Sequence, residues 1–89
     1  MKIYFFATIR EYTKTKSTDI EHCKTLRDAL LKLSDIYGEK FRKKIFEGEN
    51  LSKEAIILVN GRHIAHLQGL DTMLNENDEI SIFPVVAGG

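Results

Sequence analysis

The sequence is nearly devoid of cysteine: Cys23 is the only one in 89 residues. A single thiol cannot close an internal disulfide or hold a four-thiolate iron–sulfur cluster, so nothing points to an oxidising compartment. There is no excess charge of either sign, with 13 Lys and Arg against 13 Asp and Glu. Nucleic-acid binders draw much of their affinity from phosphate contacts and usually carry a basic excess, so neutrality argues against that class. It also leaves no strong global field to steer a partner. Long hydrophobic runs are missing. No stretch nears the ~20 apolar residues of a membrane span, and the opening "MKIYFFATIRE" has too short an apolar run for a signal peptide. The expectation is a cytoplasmic protein with neither membrane nor nucleic acid as partner. Paired carboxylates, a glycine-rich loop ahead of a helix and a Ser–His–Asp signature are absent too, so no side-chain catalytic centre is expected.

What remains is ordinary globular composition, 43% apolar and 29% charged, in a length that suits one domain. A domain of this size buries roughly 60–65% of its unfolded-chain surface, enough for one modest core. Residues 2–9 ("KIYFFATI") read as a strand with Ile3, Phe5, Ala7 and Ile9 on the core face. Tyr4 and Phe6 fall on the other face. Residues 11–17 are polar and read as a loop, and 18–23 as a second strand anchored by Ile20. Thr25 with Asp28 suggests a capping box ahead of a helix over residues 26–37, with Leu26, Ala29, Leu30, Leu33 and Ile36 or Tyr37 at helical spacing and Gly38 at its end.

A second short helix is expected over 39–46, a loop over "EGENLSKE", and a strand over 55–60. Asn60-Gly61 is a hairpin-turn pair, since both tolerate positive φ, and a short strand over Arg62–Ala65 should follow. Leu70, Met73 and Leu74 are the expected anchors of a turn-rich stretch. Residues 79–84 read as the last strand, with Pro84 at its end. Strand pairs on either side of one main helix predict an α+β layer, the arrangement of the ubiquitin-like β-grasp fold, with a mixed four- to five-stranded sheet. The domain should span residues 1–84 and an extended, flexible tail residues 85–89.

That tail ends in Gly88-Gly89. A terminal glycine pair arises by chance in roughly 0.5% of chains at ~7% glycine, a weak signal alone. Its chemistry is more specific. A terminal carboxylate is ionised at neutral pH and reacts only once an oxygen becomes a leaving group. Two glycines thread a narrow enzyme channel without side-chain clashes. Five residues past Pro84 reach ~17 Å, enough to enter another protein's pocket.

"KIYFFATIRE", "ILVNGRHI" and "LNENDEISIFPVVAGG" together resemble the MoaD/ThiS family of ubiquitin-like sulfur carriers, and more closely its MoaD branch. Where the family often has a glycine before the last acidic pair, this chain has Asn77, and family members are often acidic where this chain is neutral. The resemblance implies that Gly89 is adenylated and then converted to a thiocarboxylate. That sulfur would pass to precursor Z as the small subunit of molybdopterin synthase makes molybdopterin. It implies a MoaE-like large subunit, a MoeB-like adenylating enzyme of the ubiquitin-activating type and a sulfur donor as partners. ATP and magnesium would be used by the activating enzyme, with no cofactor bound by this chain. Carried over by position, Gly89 is the reactive residue, Gly88 threads the channel, and Phe83 and Pro84 sit at the tail's root in the partner interface, with Val85, Val86 and Ala87 between them. In a β-grasp fold the first and last strands lie side by side, so Tyr4 and Phe6 are expected beside Phe83, and Phe6 joins the partner-binding set. The alternatives are a sulfur carrier for thiamin, cysteine or tRNA thiolation, a ubiquitin-like protein modifier, and a non-catalytic interaction module.

Other residues invite weaker readings. Arg10 and Glu11 follow the first strand, as partner-pairing charges or as solvated surface. His63 and His66 stand three apart, but no third ligand completes a metal pattern. Cys23 beside His22 reads as an inert thiol, and Arg42, Lys43 and Lys44 as a solvated helix face.

Overall fold

The structure, a computed structural model, describes residues 1–85; the expectations for Val86, Ala87, Gly88 and Gly89 lie outside the described residues. In chain order the elements are β1 (Lys2–Phe5), α1 (Ile9–Thr13), β2 (Ser17–Asp19), α2 (Leu26–Tyr37), α3 (Glu39–Ile45), β3 (Phe46–Glu47), β4 (Asn50–Leu51), β5 (Ala55–Val59), β6 (Arg62–His63) and β7 (Glu79–Pro84). Two 3-10 turns, Ile64–His66 and Gly69–Asp71, lie between β6 and β7.

The main sheet runs β2-β1-β7-β5-β6, and β3 with β4 forms a separate hairpin. β1 lies parallel to β7, with Ile3 opposite Ile80 and Phe5 opposite Ile82. All other neighbours are antiparallel. This is the mixed five-stranded sheet of the ubiquitin-like β-grasp fold, with the first and last strands side by side.

Period-two alternation drives the packing. Ile3, Phe5, Ala55, Ile57, Val59, Ile80 and Ile82 are buried, while Tyr4, Ile56, Leu58, Ser81 and Phe83 remain half-buried on the opposite face. Leu26, Ala29, Leu30 and Leu33 of α2 and Phe41 and Ile45 of α3 are fully buried in the same core. Phe5 meets Tyr37 and Phe41 edge-on, with ring centroids 5.5 and 6.2 Å away. Each fully buried side chain of this kind contributes about 1.5–3 kcal/mol.

The capping box is present: Thr25 Oγ1 accepts from the Asp28 N–H and the Thr25 N–H donates to Asp28 Oδ2, both at 3.2 Å. α2 ends at Gly38, whose φ of +94° a residue with a Cβ rarely adopts. Tyr37 fills the last helical anchor position, and Ile36 is exposed.

Several expectations are corrected. The first strand stops at Phe5 rather than residue 9, because Ala7 turns into the left-handed region (φ +49°) and is exposed. The polar stretch read as a loop instead begins with α1, held by buried Ile9 and Thr13 and half-buried Tyr12 at helical spacing. The second strand is Ser17–Asp19, shifted towards the N-terminus, with Ile20 buried just beyond it. "EGEN" forms the β3–β4 hairpin, because Gly48 at φ +67° supplies the first turn position. The strand expected over Arg62–Ala65 lasts two residues and then tightens into a 3-10 turn. Met73 is 65% exposed rather than an anchor; Leu70 and Leu74 are buried. Among the described residues no helix is long and apolar enough to cross a membrane.

Candidate docking face and tail root

The open face of the sheet is where the expected partner-binding residues come together. Phe6 lies one residue past β1, and its N–H donates to Ile82 O at 3.0 Å, extending the β1–β7 ladder. Its ring stacks on Phe83 with centroids 4.3 Å apart and planes 8° from parallel. Arg10 covers the pair from α1: its guanidinium carbon is 5.7 Å from the Phe6 centroid, and Nε donates to Phe5 O at 2.8 Å. One N–H of the guanidinium is therefore committed to the fold, and the cation is held against an aromatic face.

The β5–β7 register continues this surface. Ile56 stands opposite Phe83 and Leu58 opposite Ser81, while Ser81 is also opposite Tyr4. Tyr4, Phe6, Ile56, Leu58 and Phe83 thus make a half-buried apolar strip flanked by polar groups. A strip of this composition has the character of a protein interface core.

Pro84 ends the ladder opposite Ala55. Its missing N–H costs nothing at the last strand position. Val85 N–H donates to Glu54 O at 2.9 Å, and the Val85 side chain is exposed. Lys44 Nζ lies 3.8 Å from Glu54 Oε1 beside this point. Phe6, Phe83, Pro84 and Val85 are therefore gathered at the end of β7, whereas Val86, Ala87, Gly88 and Gly89 lie outside the described residues.

Ile56 and Leu58 were not singled out from the sequence. The signal was present: "AIILV" is apolar without alternation, and on a sheet covered by helices on one side that leaves apolar groups on the other.

Tyr4 lies at the margin of this strip, and the other candidates are placed apart from it. Tyr4 Oη donates to Glu79 Oε2 at 3.1 Å; that hydrogen bond, followed by slight desolvation and the nearby carboxylates, raises the phenol above its ordinary value. Burial pushes the Cys23 thiol up, and its Sγ donates to Glu21 O at 3.6 Å, so the thiolate is disfavoured. Cys23 and His22 do not lie in a strand: His22 sits at φ +63° and is exposed, while Cys23 is buried. Arg42 and Lys43 are exposed on α3. Among the described residues no group of three His, Cys, Asp or Glu side chains is placed to hold a metal ion.

The mixed five-stranded sheet with α2 packed in its core defines a ubiquitin-like β-grasp protein. The chain belongs to the ThiS family, whose profile matches residues 3–89, and with it to the ubiquitin-like sulfur carriers and modifiers. It is 36% identical over 91 residues to small archaeal modifier protein 3 of Haloferax volcanii, spanning 100% of this chain and 98% of that relative. The solution structure of small archaeal modifier protein 1 from Methanosarcina acetivorans superposes with a TM-score of 0.87 at 37% identity, over 99% of this chain and 94% of the other. A candidate molybdopterin converting factor subunit 1 from Pyrococcus furiosus superposes at 0.77 with 27% identity, over 96% and 95%.

Proposed function

We propose that the reactive group is the C-terminal carboxylate of Gly89 and that the open sheet face presents it to other enzymes. A carboxylate oxygen attacks the α-phosphorus of ATP in a magnesium-dependent, MoeB-like activating enzyme, and pyrophosphate leaves. Sulfide delivered by the donor then attacks the acyl carbon, and AMP departs with the C–O electron pair to leave a thiocarboxylate. The destination we favour is precursor Z, inside a MoaE-like large subunit that receives residues 85–89 while the apolar strip docks outside. The observation that carries this reading is the Phe6–Phe83 stack under Arg10 at the tail root, in a ThiS-family chain ending in Gly88-Gly89. The Pyrococcus furiosus relative supports the molybdopterin destination.

A second reading shares the activation step: the acyl-adenylate is passed on to a target lysine as an isopeptide. Two relatives named as small archaeal modifier proteins, at 36% and 37% identity, favour it. The test is the intact mass of the chain after incubation with ATP, sulfide and the host adenylating enzyme, with and without a MoaE-like subunit and precursor Z. A gain equal to exchanging oxygen for sulfur, discharged by precursor Z, supports the first reading. Isopeptide adducts on lysines, with no discharge to precursor Z, support the second.

A further inference from the structure

The β5–β6 hairpin builds a second feature, at the end of the sheet remote from the tail. Ala55 of β5 pairs with Pro84, and β5 runs four residues further to Val59, which pairs with Arg62; that is a separation of about 13 Å along the strand. Beyond it, Gly61, Arg62, His63 and His66 line a cavity of about 420 Å³. Among the described residues no carboxylate lines it. Among the described residues, no Asp or Glu side chain forms a salt bridge with Arg62.

The local fold fixes the chemistry of His63. Asn60-Gly61 makes the turn, at φ +52° and +82°, that returns the chain as edge strand β6. The following 3-10 turn is capped by His63, whose Nδ1 accepts from the Ala65 N–H at 3.0 Å. That bond uses the Nδ1 lone pair, so the ring proton of the neutral imidazole sits on Nε2. Coordination of a metal through Nε2 would move the proton to Nδ1, where it would face the Ala65 N–H, donor against donor. The His63–His66 pair, with ring centroids 6.3 Å apart and planes at 79°, is thus poorly suited to a metal and well suited to donating hydrogen bonds.

We propose that this cavity is an oxyanion site that takes a phosphate dianion, free or as the phosphate of a small monoester. Arg62 supplies a permanent charge and a planar fork for two phosphate oxygens. His63 Nε2–H addresses a third oxygen. Beyond the two oxygens held by the fork, a tetrahedral oxyanion offers a further oxygen to this donor, which a carboxylate lacks. A cavity of about 420 Å³ also has room for a small organic group beside the phosphate. The site is independent of the chemistry assigned to Gly89.

The test is a two-dimensional NMR titration of the full chain with inorganic phosphate and, separately, with phenyl phosphate, at constant ionic strength set by chloride. Saturable shifts confined to Gly61–His66, weakened roughly tenfold by Arg62→Gln as expected for losing a charge-assisted bond, support the site. Tighter binding of phenyl phosphate assigns a monoester; equal binding assigns free phosphate. Shifts that rise without saturating, spread over all basic residues, or persist in Arg62→Gln overturn the proposal. Saturable binding of zinc by both imidazoles, with phosphate inert, overturns it in favour of a metal site. Arg62 is exposed, so the variant spectrum also reports directly that the fold is intact.

Discussion

Phe6 lies flat on Phe83, ring centroids 4.3 Å apart, two residues before the described chain ends at Val85. One ring comes from just past the first strand and the other from the last, so the contact exists only in the folded domain. A stack of this kind adds about 0.5–1.5 kcal/mol beyond area burial. Its half-exposed position suits it to docking as well as to stability. Phe83→Ala should lower stability by about 2 kcal/mol and raise the KM of the adenylating enzyme for this chain roughly tenfold or more. Phe83→Leu keeps most of the apolar area and should recover the stability but only part of the KM. Denaturation and steady-state activation kinetics on both variants measure the two effects.

The Tyr4–Glu79 hydrogen bond makes a prediction in alkali. The phenol is raised in the folded protein, chiefly because the neutral form donates to the Glu79 carboxylate. Between the unfolded and folded values the folded state holds more protons, so stability falls as pH rises. The contribution is complete below the ordinary tyrosine value of about 10 and is lost as pH climbs through the folded value. Glu79→Gln should bring the Tyr4 titration back towards the ordinary value, read by NMR or by ultraviolet difference against Tyr4→Phe.

Asn60 ties the hairpin to the start of β7. Its Oδ1 accepts from the Glu79 N–H at 2.9 Å and its Nδ2 donates to Asp78 Oδ1 at 2.8 Å, while its own N–H donates to Glu79 O at 2.7 Å. Asn60→Ala forfeits both side-chain bonds and must hold φ +52° without an Asx side chain. A loss of about 2 kcal/mol is expected. Gly61→Ala, at φ +82° with open space around it, should cost about 1 kcal/mol from backbone strain alone. Urea midpoints should fall in both variants with an unchanged slope.

The legible parts of this fold are those where one local rule acts strongly. α2 runs over Leu26–Tyr37 as its periodicity and its Thr25–Asp28 box dictate, and the Asn60-Gly61 turn forms where its φ tolerance places it. Phe6 and Phe83 were legible as a pair once the first and last strands were taken as neighbours. The misread parts were governed by short-range geometry with little sequence signature. Ala7 adopts a left-handed conformation usually left to glycine or asparagine, so nothing in "FFATIRE" announces that the strand ends and α1 begins. Met73 stays exposed although Leu74 beside it is buried: Met73 is bridged to Thr25 in extended backbone, where neighbouring side chains point to opposite sides. The outward-facing Ile56 and Leu58 were hidden in an uninterrupted apolar run, where alternation cannot be seen.

In the proposed function the Gly89 carboxylate is the group activated by ATP. The most direct measurement is ATP–pyrophosphate exchange by the adenylating enzyme, with the full chain and with a chain lacking Gly89. The account predicts exchange that depends on the full chain, disappears without Gly89, and weakens through KM in Phe83→Ala. Equal exchange with the truncated chain, or none with the full chain and an enzyme active on its own carrier, would contradict it.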